Sequence, residues 1–298
     1  MSNTILQYQK AFNSTMERLK KDESVLAVMV FGSMVTGDLW EESDIDLFVI
    51  MNTEEKGIKN VYTIEKDVPI HMKIMNKEKF INLQNNDLKG GFLHRIFSAS
   101  RLVFSKDMDI TAKYDQGRYY PDLDREIWNM IYLANVLKNI GVCKKYLINN
   151  RIYTSYTSVV RCVEDFAKLL INSSGYMISK DVMSNAMNIN EEFRNHIDEI
   201  FFNKIDTKNA IKNAINYLEN EIDKNLRNIT TLLLNYMRKK DCLLSSEDVK
   251  QDKLFKDYNI NMEEILNKLW QKNLIKKDNR EYRSKSGKVL FKENVYFI

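Results

Sequence analysis

The most constraining feature of this 298-residue chain is the stretch FGSMVTGDLWEESDIDLFVI, which covers residues 31–50. It starts at the end of one short apolar run, Val25–Phe31, and finishes inside a second, Ile45–Met51. Each run is too short for a typical helix and is typical of a buried strand. The sequence therefore predicts two core strands, joined by a polar loop that begins at Gly32.

The residue types in this loop favour phosphate and metal binding. Gly32 lets the backbone turn sharply and approach a ligand closely. Ser33 offers a hydroxyl and a backbone N–H near a helix start, where amide donors favour an anion. Asp44 and Asp46 alternate along a strand and so project on one face, with Ile45 opposite in the core. Paired carboxylates repel each other unless a divalent cation lies between them, and such oxygen ligands suit Mg²⁺.

Gly32-Ser33, followed by Asp44-Ile45-Asp46, resembles the signature of the DNA-polymerase-β-like nucleotidyltransferases. This superfamily includes bacterial enzymes that adenylylate antibiotics and minimal nucleotidyltransferases with helical partners. The resemblance covers roughly residues 24–105. It implies transfer of a nucleoside monophosphate from an NTP, with ATP expected, to an unknown acceptor with release of pyrophosphate. It also implies that Gly32 and Ser33 bind the nucleotide and that Asp44 and Asp46 bind Mg²⁺.

The sequence departs from the family pattern at a third position. Active members usually add a carboxylate from a neighbouring strand, and the matching position in Val68–Ile74 holds His71. Imidazole is a poor Mg²⁺ ligand, but it titrates near neutral pH and can act as a base. His71 is therefore a candidate catalytic residue beside Asp44 and Asp46, with Glu65 and Asp67 as nearby alternatives. The rival interpretation is a DNA-binding regulator whose first domain senses a nucleotide without turnover.

The pattern along the chain predicts an α+β protein with three domains. We expect a mixed-sheet nucleotidyltransferase domain at 1–115, a helical bundle at 116–238 and a small winged-helix-like domain at 239–298. The expected elements alternate between helices and strands in the first domain and are helical in the second. They are a helix at 4–21, with Ile5, Tyr8, Phe12, Met16 and Leu19 on one face, a hairpin at 61–75, short helices at 76–83 and 92–98, a strand at 101–104, a connector at 114–124, a helix that stops at Gly141, a helix at 153–172 and at least two more within 190–237.

The last segment predicts helix, helix and then β-ribbon, which is the order of a winged helix. This three-part layout is similar to Gram-positive nucleotidyltransferase-like proteins with a C-terminal helix-turn-helix. The segment is also basic, which favours binding to a nucleic-acid backbone, although winged helices also mediate dimerisation. Its basic residues are Lys268, Lys272, Lys276, Lys277, Arg280, Arg283, Lys285, Lys288 and Lys292.

Composition adds expectations about the environment of the protein. The net charge of +4 is small, and the three cysteines match no zinc-site spacing. The N-terminal residues lack the apolar core of a signal peptide, and no apolar run is long enough to span a bilayer. We therefore expect a cytoplasmic protein with no membrane partner, whose partners are a nucleotide and an unknown acceptor. Association between copies of the chain stays open.

Overall fold

The computed structural model describes residues 2–86, 90–202, 205–284 and 286–298. The chain divides into two compact units, Met1–Pro121 and Asp122–Ile298. Both contain helices, and the first also contains a mixed β-sheet, so the predicted α+β class is confirmed. The finer division at 1–115, 116–238 and 239–298 stays a prediction.

The first unit alternates helices and strands. Its elements are α1 (Ser2–Lys21), β1 (Val25–Phe31), α2 (Ser33–Thr36), β2 (Ile45–Met51), β3 (Lys59–Glu65), β4 (Val68–Asn76), α3 (Lys77–Asn86), α4 (Phe92–Ala99), β5 (Arg101–Ser105) and α5 (Met108–Gly117). Among the described residues, five of these strands form one sheet in the order β3-β4-β2-β1-β5. Strand β2 runs antiparallel to β1 but parallel to β4, so the sheet is mixed.

Each face of the sheet packs against helices of the same unit. Tyr8, Ala11 and Met16 of α1 pack on the face that carries Ile45 and Leu47. The opposite face carries Phe31 and Phe48. It is covered by Phe80 of α3, Phe97 of α4, and Ile110 and Tyr114 of α5. Because alternate residues of a strand point to opposite faces, both faces of β1 and β2 are apolar, which explains their continuous hydrophobic runs.

Two sequence expectations in this unit need correction. Ile5 is 46% exposed and does not belong to the buried face of α1, where Ala11 is fully buried. The expected connector at 114–124 begins inside α5, since the Tyr114 side chain is buried and its hydroxyl donates to the backbone oxygen of Ser100.

The second unit is largely helical and ends in a β-ribbon. Its elements are α6 (Asp122–Ile148), α7 (Ile152–Ser173), α8 (Val182–Ile189), α9 (Glu191–Phe201), α10 (Thr207–Ile229), α11 (Thr231–Lys240), α12 (Ser246–Lys250), α13 (Met262–Gln271), β6 (Lys276–Arg283) and β7 (Val289–Phe297). The expected stop at Gly141 is wrong, because α6 continues to Ile148. Buried Ile140, Cys143 and Leu147 continue its packed face, and this burial outweighs the roughly 1 kcal/mol cost of a helical glycine.

The C-terminal elements share a core with the helices before them. Buried Leu244, Phe255 and Tyr296 belong to the same hydrophobic cluster as Leu133 of α6 and Leu218 of α10. Helix α12 starts with a capping box between Ser245 and Asp248, and the ribbon β6-β7 follows α13 as predicted. The winged-helix interpretation of this segment stays a prediction. Among the described residues, no helix combines the length and the apolar character that crossing a membrane requires.

Candidate metal centre

The register of the sheet brings Asp46 and His71 together. Asp46 lies opposite Phe31 in the antiparallel pair and beside His71 in the parallel pair of β2 and β4. Residues in register on neighbouring strands project to the same face, so both side chains leave the sheet on one side. Ile45 points the other way and is fully buried. Asp44 directly precedes β2, and one ligand atom from each of Asp44, Asp46 and His71 lies within 4.8 Å of the others.

Gly32 lies directly beside Asp46 in this group of three residues. Its φ of 72° and ψ of −150° lie in a region that is essentially restricted to glycine. A Cβ atom added at Gly32 would lie 2.5 Å from Oδ2 of Asp46. Glycine is therefore needed here both for the backbone conformation and for the close approach to this carboxylate.

Ser33 starts the short helix α2 next to the same group. Its Oγ lies 3.4 Å from the backbone oxygen of Asp44, a long hydrogen bond between the turn and the loop. Backbone N–H groups of Val35 and Thr36 donate to the oxygen of Gly32, which fixes the turn. The structure thus places Gly32 and Ser33 beside the two aspartates. Nucleotide binding by Gly32 and Ser33 stays a prediction.

Tyr8 of α1 anchors the loop that carries Asp44, and sequence reasoning missed this role. Its hydroxyl donates a hydrogen bond to the backbone oxygen of Ser43, and the oxygen of Trp40 lies 3.1 Å away. Burial, followed by the negative charge of Asp44, raises the pKa of Tyr8, so the hydroxyl keeps its proton. The available signal was a tyrosine on the apolar face of a helix, because a buried hydroxyl requires a partner.

The imidazole of His71 is held on several sides. Its Nδ1 lies 3.2 Å from Oδ1 of Asp46, and its Nε2 lies 3.1 Å from Oδ1 of Asn60. The ring of Tyr62 stacks on it at 4.4 Å between centroids and 6° between planes. The side chain of His71 is 12% exposed, whereas Tyr62 is 74% exposed. Tyr62 and Asn60 were also missed from the sequence, although both lie on the strand that pairs with β4.

The alternative carboxylates do not lie near His71. Glu65 accepts hydrogen bonds from Ser14 Oγ at 2.9 Å and from Arg18 Nη2 at 2.6 Å, both on α1, so it lies on the opposite face of the sheet. Asp67 is exposed in the turn between β3 and β4 and has a φ of 64°. Among the described residues, His71 rather than Glu65 or Asp67 therefore joins the two aspartates.

The donor set fits a divalent cation. Asp44 and Asp46 provide hard carboxylate oxygens of the kind that Mg²⁺ prefers. His71 adds an imidazole nitrogen, a donor better suited to first-row transition ions. The two aspartates are thus the kind of ligand that the expected Mg²⁺ prefers, whereas His71 is not.

Comparisons with known proteins found one family match and a similar solved structure. Residues 13–109 match the sequence model of the family "Polymerase beta, Nucleotidyltransferase". The crystal structure of a nucleotidyltransferase-like protein from Exiguobacterium sibiricum 255-15 is similar to this chain, with a TM-score of 0.65. The two are 15% identical, and the similarity covers 97% of this chain and 99% of the other. No curated protein matches the sequence.

The family match and the sheet with its paired aspartates define the class of the first unit. Residues 13–109 therefore form a domain that matches the polymerase-β nucleotidyltransferase family. At 15% identity, the similar crystal structure adds evidence for the fold alone.

Proposed function

We propose that this protein transfers a nucleoside monophosphate from an NTP, with ATP expected, to an acceptor hydroxyl or similar nucleophile and releases pyrophosphate. One observation carries the proposal. Ligand atoms of Asp44, Asp46 and His71 lie within 4.8 Å of one another, in a domain that matches the nucleotidyltransferase family. The Gly32-Ser33 turn adjoins this group, and Gly32 lies so close to Asp46 that no Cβ atom fits between them.

Each residue has a distinct proposed role. Gly32 and Ser33 bind the triphosphate through backbone N–H groups and the Ser33 hydroxyl. Asp44 and Asp46 hold the Mg²⁺ ion, and His71 completes the site at the third position. When bound, the cation neutralises charge on the phosphates and polarises the reacting phosphoryl group. Phosphoryl transfer depends on positioning and electrostatics, so the residues need no covalent nucleophile among them.

A substitution experiment tests this proposal. Pyrophosphate release is measured with each NTP, with Mg²⁺ or Mn²⁺, across a panel of acceptors that includes small hydroxyl compounds, RNA and protein. The double substitution Asp44→Asn with Asp46→Asn should abolish release. Asp38→Asn is a matched control, since Asp38 is exposed in the same loop and outside the group. Equal activity in the double variant and the control would refute the metal assignment.

A second candidate function is nucleic-acid binding by the C-terminal segment, in a regulator whose first unit senses a nucleotide. One observation favours it. Near the tip of the ribbon, the rings of Tyr282 and Phe291 stack at 4.6 Å and 5° and are 48% and 57% exposed. The exposed cations Lys288 and Lys292 lie within three residues of Phe291 in the sequence. Exposed aromatic rings beside cations are typical of surfaces that bind single strands.

Ion pairs within the chain reduce the charge available for this binding. Lys268 and Lys272 both lie 2.6 Å from Asp223, and Arg280 lies 2.8 Å from both Asp248 and Glu293. Arg283 pairs with Glu281, and Lys285 lies outside the described residues. The basic composition therefore overstates the positive surface that a phosphate backbone would meet.

Charge reversal tests this second function better than deletion, because residues 244–296 contribute to the core of the helical unit. Fluorescence anisotropy with a labelled oligonucleotide, measured over a range of salt concentrations, reports the affinity and its salt slope. Lys288→Glu with Lys292→Glu should lower the slope by roughly 0.7–0.9 per lost phosphate contact. The absence of binding to single- or double-stranded DNA at low salt would refute this function.

A further inference from the structure

The hydrogen bonds around His71 identify which of its ring nitrogens faces the aspartates. Oδ1 of Asn60 lies 3.1 Å from His71 Nε2 and 3.2 Å from Lys73 Nζ. A lysine ammonium only donates hydrogen bonds, so the Asn60 atom that it contacts is the carbonyl oxygen and not the amide nitrogen. That oxygen accepts the hydrogen bond from Nε2–H of the imidazole. The other ring nitrogen, Nδ1, lies 3.2 Å from Oδ1 of Asp46.

Nδ1 of His71 and a carboxylate oxygen of Asp46 are therefore close enough to bind one cation together, and a ligand atom of Asp44 lies within 4.8 Å of both. A histidine that binds a metal through one nitrogen usually donates its other N–H to a carbonyl or carboxylate, which fixes the ring orientation and raises its basicity. Asn60 occupies that outer position for His71. The stacked ring of Tyr62, parallel to the imidazole within 6°, further restricts its rotation. His71 therefore has the orientation of a metal ligand, and Asn60 and Tyr62 are its positioning residues.

We propose that Nδ1 of His71 coordinates the divalent cation directly, and that the site consequently prefers first-row transition ions such as Mn²⁺ over Mg²⁺. This rests on the proposed function only in placing a cation at Asp44 and Asp46. Mg²⁺ favours oxygen ligands and releases its water reluctantly, whereas an imidazole nitrogen strengthens binding of transition ions. A donor set of two carboxylates and one imidazole separates the two kinds of ion more strongly than three carboxylates do.

Pulsed electron paramagnetic resonance of Mn²⁺ bound to the 298-residue chain tests this directly, because it detects a coordinated nitrogen. The wild-type protein should show the ¹⁴N coupling of a bound imidazole, and His71→Gln should lose it. The chain has three histidines, and His196 lies in the helical unit, so His196→Gln is a matched control that should keep the coupling. A wild-type protein that binds no Mn²⁺, or binds it without nitrogen coupling, overturns the proposal.

Affinity measurements test selectivity and the role of Asn60. His71→Asp should lower the ratio of Mn²⁺ to Mg²⁺ affinity by about tenfold or more, on the scale of a changed ligand environment. Asn60→Ala should weaken Mn²⁺ binding by about 10–100-fold, and Asn60→Asp, which keeps an oxygen acceptor, should restore most of it. An unchanged ratio in His71→Asp contradicts the proposal.

The two proposals fail independently. Nitrogen coupling without NTP turnover would refute the proposed function alone, and turnover without nitrogen coupling would refute this inference alone.

Discussion

Gly32→Ala is the substitution whose effect the structure specifies most fully. A non-glycine residue at φ 72° and ψ −150° costs about 1–3 kcal/mol. The new Cβ atom would also lie 2.5 Å from Oδ2 of Asp46, which forces that side chain away from its present rotamer at a further cost of about 0.5–1.5 kcal/mol. Together we expect a loss of about 1.5–4.5 kcal/mol in the stability of the first unit.

The same displacement moves a proposed metal ligand. Because Asp46 Oδ2 must shift, we expect Mn²⁺ to bind about tenfold more weakly or worse in Gly32→Ala. Hydrogen–deuterium exchange of peptides from β1 and β2 reports the local stability, and calorimetry reports the affinity for Mn²⁺.

Gly37→Ala is the matched control for this prediction. Gly37 also has a positive φ, 86°, but an added Cβ atom would meet nothing within 4 Å. It should cost about 1–2 kcal/mol and leave Mn²⁺ binding unchanged. In an Asp46→Ala background the contact disappears, so Gly32→Ala should cost about 1 kcal/mol less there. Equal losses in the two glycine variants, with equal Mn²⁺ affinity, would refute the reasoning.

Two further predictions concern residues that support the site and the domain around it. Tyr8→Phe removes the hydroxyl that donates to Ser43, and we expect a loss of about 1 kcal/mol and several-fold weaker Mn²⁺ binding by calorimetry, whereas the exposed Tyr153→Phe should change neither. The hydrogen bond from Lys77 holds the pKa of Asp107 below its ordinary value, so the stabilisation from this carboxylate is fully present above about pH 4 and is lost as the pH falls through the lower folded-state pKa. Thermal unfolding of wild type and Asp107→Asn should therefore differ most near neutral pH and converge in acid, and a constant difference at all pH values would contradict this assignment.

The sequence predicts most of the first unit because its strands carry strong, unambiguous signals. Val25–Phe31 and Ile45–Met51 agree with the structure at both ends, since helices cover both faces and leave no polar alternation to confuse the pattern. Gly141 was misread because glycine is a common stop signal, whereas packing of the α6 face decided the outcome. A short stretch of sequence does not show which distant residues a helix packs against. Such errors are therefore expected at long buried helices.

The sequence predicted the part of the site that follows from the alternation of side chains along a strand. Asp44 and Asp46 followed from the motif, and the pairing of Tyr62 with His71 could have followed from the two-residue turn at Lys66-Asp67, which fixes the hairpin register. The contact between Tyr8 and the loop at Ser43 could not, because it joins a helix to a loop 35 residues away. Such contacts depend on side-chain rotamers and on how distant segments pack, and neither produces a periodic pattern in the sequence.

The parallel pairing of β2 and β4 has an evolutionary consequence. Backbone hydrogen bonds set the register that puts residue 71 beside Asp46, and these bonds do not depend on which side chain residue 71 carries. Histidine and aspartate codons differ at their first nucleotide alone. A single point mutation can therefore exchange an imidazole for a carboxylate at this position while the sheet stays intact. If residue 71 binds the cation as proposed, a lineage with this fold can change its metal preference by that single mutation.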